Sequence, residues 1–165
     1  MKIVLLCMII ALSTYVGFGL SAYYRKRLKV FKDLVNFASK LVIDINFSKS
    51  RLKEIIQANI RSFSGEFKHI LSGYLQYLNN ENMQFSCGLL FKKNTFLTSE
   101  ERQTIFLFFK SLGRYDAENQ ISEINNYMEK FKAFSLSAEK ENKKYGALYV
   151  KLGLMAGILL AILLI

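Results

Sequence analysis

Residues 3–24 read IVLLCMIIALSTYVGFGLSAYY, twenty-two positions without a formal charge. Residues 145–165 read YGALYVKLGLMAGILLAILLI, with Lys151 as the single charge. A helix rises about 1.5 Å per residue and a bilayer's hydrocarbon core is about 30 Å thick, so about 20 apolar residues cross it. The first stretch meets that length. In the second, the uncharged run from Leu152 spans only about 21 Å as helix, and extension back to Tyr145 brings it to about 31 Å. Lys151 then falls inside the segment, where its long stem lets the ammonium reach the headgroups beside Tyr145 and Tyr149. The expectation is a transmembrane helix over 1–24, another over 145–165, and a domain over 25–144 between them. A span at each end forms a hairpin with both termini on one side and the domain on the other.

Charge sets the orientation. Arg25, Lys26, Arg27 and Lys29 follow the first stretch, and Lys140, Lys143 and Lys144 precede the second. Both clusters flank the middle, and the excess of Lys and Arg on the inner side of membrane segments places the domain in the cytoplasm. A cleaved signal peptide competes for the first stretch, with Gly17-Phe18-Gly19 as small residues for a cleavage site. The lone Lys2 before the apolar run and the basic cluster after it favour an uncleaved anchor. Cys7 has only six residues before it, too few for a lipoprotein signal, and the hairpin puts Cys7 and Cys87 in different compartments, where no disulfide forms. Gly153, Gly157 and Ala161 are spaced by four, as are Ser13 and Gly17, and small residues at that interval let two membrane helices approach closely.

The middle reads as helices. Val30, Leu34, Phe37, Leu41 and Ile45 recur at steps of three and four, and no Gly or Pro separates them from the first span, so one helix leaves the bilayer. Ser48 or Ser50 caps a second helix with Leu52, Ile55, Ile56 and Ile60 inward. Ser62-Phe63-Ser64-Gly65 breaks it. Phe67, Ile70, Leu71, Tyr74, Leu75 and Leu78 make a third, which Asn79-Asn80 ends. Residues 83–91 form a shorter helix that Asn94 closes. Thr98-Ser99-Glu100-Glu101 fits a capping box, Ile105, Phe106, Phe108, Phe109 and Leu112 form the face that follows, and Gly113 sits where a left-handed residue ends a helix. Asp116 caps a last helix with Ile121, Ile124, Met128, Phe131 and Phe134 on its apolar face, and nothing stops that helix before Gly146. No run alternates with period two. The fold class is all-α, a bundle of about six helices between two transmembrane helices.

Composition narrows the function. Seventeen Lys and six Arg face three Asp and ten Glu, a net +10. That balance points to anionic lipid headgroups or an acidic partner. The charges are dispersed along helices without the aromatic and basic signatures of nucleic-acid folds, so no nucleic acid is expected. His69 is the only His and has no Cys or acidic cluster near it in sequence, no Gly-rich phosphate loop occurs, and Glu100 and Glu101 suit the first turn of a helix. The reading is non-enzymatic, with no cofactor and no metal. Aromatic stripes are core packing. An alternative function is a basic membrane-surface protein that binds or shapes anionic bilayers.

The layout resembles the stage III sporulation protein AB family, whose cytoplasmic part is similar to the F-type platform subunit of type II secretion systems. The resemblance rests on the N-terminal span followed by basic residues, on the helix start at Ser50-Arg51-Leu52-Lys53-Glu54, on the C-terminal span, and on residues 109–120, FKSLGRYDAENQ. The family carries a similar Leu-Gly, Asp, Gln pattern, here Leu112, Gly113, Asp116 and Gln120, although it often has Pro near the start of the second helix and this chain has none. The residues alone suit a helix corner: Gly113 ends one helix, Asp116 caps the next, and Gln120 reaches back across the turn. The resemblance implies a platform or adaptor subunit of a secretion-like complex that couples a cytoplasmic ATPase to a membrane channel during endospore formation. It also implies the mother-cell membrane facing the forespore, with a secretion-type ATPase and other stage III membrane proteins as partners; a homo-oligomer is compatible with this reading. Lys92, Lys93 and Lys110 are the candidate contacts with such a partner, because the apolar stripes are needed for the domain's own core.

Overall fold

A computed structural model of the chain describes residues 2–47, 52–80, 82–91 and 96–163. Among them no strand occurs, and the elements are α1 (Lys2–Phe47), α2 (Leu52–Asn59), a 3-10 turn (Ile60–Ser62), α3 (Gly65–Asn79), α4 (Cys87–Leu90), α5 (Ser99–Ser111), α6 (Ala117–Glu141), a π turn (Asn142–Gly146) and α7 (Ala147–Leu163). The fold is all-α, with long apolar helices at the two ends. α1, and the continuous helix Ala117–Leu163 formed by α6, the π turn and α7, each contain a window long and apolar enough to cross a membrane.

Packing divides the chain into two compact units, 1–28 with 136–165, and 29–135. These bounds lie four and nine residues inside the hydropathy limits at 24 and 145. Hydropathy marks where side chains leave an apolar solvent, whereas packing marks where they change neighbours, and a helix can carry a turn or two between the two points.

In the larger unit, Val30, Phe31, Leu34, Phe37, Ala38 and Leu41 of α1 are buried. That is the stripe the three-and-four spacing selects, and a helix with such a stripe must cover it. Phe37 lies at its centre, with ring centroids of Phe67, Phe109 and Phe63 at 5.7, 6.1 and 6.0 Å. Phe108 meets Phe131 edge-on at 5.2 Å, and Phe31 lies 5.3 Å from Phe134. These offset and T-shaped pairs suit the ring quadrupoles and add to the apolar area removed from water. Ile55 and Ile56 of α2 and Phe67, Ile70, Leu71 and Tyr74 of α3 complete the core. The expected caps Ser48 and Ser50, and the stop at Asn94, lie outside the described residues.

One expectation changes. The helix expected over 83–91 is only Cys87–Leu90; residues 83–86 are not helical, and Ser86 is extended. Phe85 is drawn out of a helical path by its neighbours: its ring stacks on Phe106 at 4.8 Å and 12°, and lies 4.8 Å from Tyr77. Gly73, in the middle of α3, lets the backbone of α4 come close. A β-carbon there would lie 2.7 Å from the Leu89 carbonyl oxygen. At the end of α6 the expected continuity holds: the helix runs on from Ala117 to Leu163, and its ladder widens into the π turn at Asn142–Gly146 on the way.

The smaller unit pairs the first part of α1 with α7. Ser13 Oγ donates to the Gly153 carbonyl at 2.6 Å. A β-carbon on Gly17 would lie 2.6 Å from the Tyr149 carbonyl oxygen, one on Gly153 2.8 Å from the Ser13 carbonyl oxygen, and one on Gly157 3.0 Å from Ile10 Cα. The two backbones approach at the small residues, and Gly157 and Ala161 are buried between them. Tyr24 stacks on Tyr149 at 5.8 Å and lies 5.6 Å from Tyr145, an aromatic group at the charged end of the pair. Just beyond it, Arg27 Nη1 donates to Glu141 Oε2 at 2.5 Å. Arg27 is 8% exposed, so its charge is compensated out of bulk water.

Candidate functional site

The sequence singles out residues 112–120, and the structure makes them a helix corner. Its approach is set at Thr98. Glu101 N donates to Thr98 Oγ1 at 3.2 Å, and Thr98 N donates to Glu101 Oε2 at 2.8 Å, a reciprocal capping box that starts α5. Glu101 is 1% exposed, so this carboxylate is a fixed internal cap. Ile105, Phe108 and Phe109 then face the core, and Leu112 follows at 6% exposure.

After Ser111 the chain reverses. Arg114 N donates to the Ser111 carbonyl at 3.3 Å, and Gly113 takes φ +78°. That left-handed value is strained for a residue with a β-carbon. The Gly113 N–H, which α5 no longer holds, donates to Gln120 Oε1 at 2.7 Å. Gln120 N donates to the Asp116 carbonyl at 2.8 Å and so begins the ladder of α6. Asp116 stands just ahead of α6, but its Oδ1 accepts from the Asn119 side-chain amide at 2.6 Å, so its carboxylate pins a neighbouring side chain.

Gln120 is 5% exposed, and its Nε2 has no hydrogen-bond partner. It borders a cavity of about 150 Å³ walled by Ile45, Leu52, Ile55, Leu112 and Tyr115. An apolar recess with one unused amide donor can take up an acceptor, water or a carbonyl, but supplies neither nucleophile nor acid–base pair. Among the described residues, no group of three or more His, Cys, Asp and Glu is placed to hold a metal. His69 is exposed, and so is Cys87, whose thiol partial burial pushes up from its ordinary value.

The remaining candidates separate. Leu112, Gly113, Asp116 and Gln120 come together at this corner. Lys110 is exposed on α5, its ammonium 5.9 Å from the centre of the Phe106 ring. Lys92 and Lys93 lie outside the described residues. Gly153, Gly157 and Ala161 belong to the other unit, on the α1–α7 contact. Sequence reasoning missed three features. Gly73 carried a signal, since an isolated Gly within a helical run marks a close approach. Arg27 and Glu141 carried a weaker one, opposite charges at matched distances from the apolar ends. The unused donor of Gln120 carried none.

With this geometry in place, comparison with known proteins gives a family: the model described as stage III sporulation protein AB matches residues 2–165. No curated protein and no solved structure matches the chain.

Proposed function

Since the chain belongs to the stage III sporulation protein AB family, we propose that its role in stage III of sporulation is that of a non-enzymatic platform subunit, which links a cytoplasmic secretion-type ATPase to a membrane channel. The observation that carries this reading is the match over nearly the whole chain, joined to an apolar helix at each end and basic residues on the domain side of both. On this reading the helical domain faces the cytoplasm of the mother cell, in the membrane that faces the forespore, and the other stage III membrane proteins are its neighbours.

A platform needs a stable body and a surface for a motor. The phenylalanine-rich core of residues 29–135 supports the first. For the second, Lys and Arg outnumber Asp and Glu by 21 to 13 over residues 25–144. The complementary face of the partner is then acidic, and salt weakens the contact. Several copies meeting a ring-shaped ATPase strengthen a weak single contact through effective concentration.

The experiment is cross-linking of the full-length protein in sporulating membranes with identification of its neighbours, followed by co-purification with the ATPase at low and high salt. Capture of the ATPase and channel proteins, with binding reduced by salt and by charge reversal at Lys92, Lys93 and Lys110, supports the reading. Binding indifferent to salt and to those reversals overturns the electrostatic contact, and absence of association in native membranes overturns the platform role.

A further inference from the structure

Beside the π turn, the α1–α7 pair opens into a cleft of about 490 Å³ bordered by Ser21, Arg25, Asn142, Lys143 and Lys151. Three of these five side chains are cationic and none is acidic. Lys143 is held by Glu139 at 2.9 Å. Arg25 and Lys151 are exposed, and neither is ion-paired among the described residues. The nearby Glu141 is engaged by Arg27. Two cations therefore border one shallow recess without an acidic partner.

The cleft sits at a definite depth. Above Lys151 the helix is apolar from Leu152 to Leu163, and the Tyr24, Tyr145 and Tyr149 rings cluster on the same helix pair. Tyrosine gathers at the headgroup level of a bilayer. The π turn contributes to the concavity, because its extra residue widens the helix, and Gly146 within it is buried. A β-carbon on Gly146 would lie 3.0 Å from Asn142 Oδ1, so a larger residue would crowd the floor of the recess.

We infer that this cleft binds the phosphate of an anionic phospholipid headgroup, with Arg25 and Lys151 as its two charge partners. The inference rests on the end helices being membrane spans. A guanidinium grips phosphate oxygens through paired N–H donors, and a lysine ammonium adds a point charge. At headgroup depth, phosphate is the most abundant anion such a pair meets. A zwitterionic headgroup brings its own cation and fits two uncompensated positive charges less well.

The test uses full-length protein in nanodiscs of phosphatidylcholine alone and of phosphatidylcholine mixed with phosphatidylglycerol, with retained lipid counted by native mass spectrometry. Vesicle flotation of the same preparations reports membrane insertion independently. Wild type is expected to retain phosphatidylglycerol selectively. Arg25→Gln with Lys151→Gln should lower that retention by roughly tenfold. Lys26→Gln with Lys140→Gln, an equal loss of charge outside the cleft, should leave it nearly unchanged, and Arg25→Lys with Lys151→Arg should restore most of it. Equal loss in the two Gln pairs means diffuse attraction and overturns the site. So does saturable binding of inorganic phosphate in phosphatidylcholine nanodiscs with no selectivity for phosphatidylglycerol, which assigns the cleft to free phosphate. Absence of selective retention in a protein that floats with vesicles overturns the inference alone. A protein that fails to float overturns the membrane reading with it.

Discussion

Gln120 Oε1 accepts from the Gly113 N–H at 2.7 Å, so one side chain of α6 satisfies the backbone donor that α5 releases at its end. The bond ties the chain reversal to the first turn of the next helix. It also gives the Leu-Gly, Asp, Gln pattern a physical content: a left-handed glycine, a residue at the helix start, and an amide one turn on.

Replacement of Gly113 should destabilise the domain through φ rather than through crowding. A β-carbon there meets only Leu52 Cδ2, at 3.5 Å. Gly113→Val is expected to cost about 1–3 kcal/mol, and Gly113→Asn clearly less, because Asn tolerates the left-handed region. Denaturant unfolding of the full-length protein in detergent measures both. Equal stability of the Val variant and wild type would contradict the strained-turn account.

Asp116→Ala should cost less than the loss of a full helix cap, under about 1 kcal/mol, since its carboxylate holds the Asn119 side chain. Gln120→Leu should cost more, because it strands the Gly113 N–H. The order of the two unfolding midpoints is the observable.

Asp33 on α1 gives a pH dependence of definite sign. Burial raises its carboxyl above the ordinary range, with Lys29 pulling the other way, and its Oδ2 has no partner. A raised folded value means that the folded chain holds the proton more tightly than the unfolded chain. This contribution is therefore most favourable below the ordinary aspartate value of about 3.9 and is lost as pH rises through the folded value. Asp33→Asn should stabilise the protein at neutral pH and flatten the decline in stability just above the ordinary aspartate range. A melting-temperature series against pH for the two proteins shows this, and identical slopes would remove Asp33 as the cause.

The span pair should depend on Gly17 and Gly157. Larger residues at either position must push the backbones apart, since the atoms met first are the Tyr149 carbonyl oxygen and Ile10 Cα. With Cys7 and Cys87 replaced by Ser, cysteines at Tyr24 and Tyr149 should cross-link efficiently, and Gly17→Leu or Gly157→Leu should reduce the yield. Unchanged yield in both would mean that the small residues do not set the spacing.

Topology can be read from native Cys87, which is exposed in the folded chain. With the domain inside the cell, a membrane-impermeant maleimide should leave it unlabelled in intact cells and label it after lysis. A cysteine added after Ile165 should show the reverse. Strong labelling of Cys87 in intact cells would exclude the hairpin orientation.

Much of this was legible in the sequence, for reasons that differ by element. The stripes through Val30–Leu41 and Phe67–Tyr74 were readable because a solvated helix must bury one face. The capping box at Thr98 and Glu101 was readable because both halves of that reciprocal bond are local. The chain between α3 and α5 was not, because Phe85 is placed by Tyr77 and Phe106, residues too far along the chain for any local window to pair. The π turn was hidden for another reason. Asn142-Lys143-Lys144-Tyr145 is ordinary helix sequence, and a widened turn leaves no compositional mark. Of the corner, the turn was visible, while the cavity beside Gln120 depends on Ile45 and Leu52 arriving from other helices.

The π turn at Asn142–Gly146 also makes this the place where a change in chain length would matter least to the helix pair. A π turn holds one residue more than an α-helix needs, so loss of one residue here would let the ladder close without losing helix. The widened turn already absorbs that residue, so after its loss the edge carrying Gly153, Gly157 and Ala161 would keep its place against Ile10, Ser13 and Gly17. Loss of one residue within the regular helix that follows would instead rotate everything beyond it by about 100° and turn that edge away. Relatives of this chain that are one residue shorter at the π turn should therefore keep their small residues on the same stripe of the last helix, a shift of one in numbering that sequence comparison within the family can find.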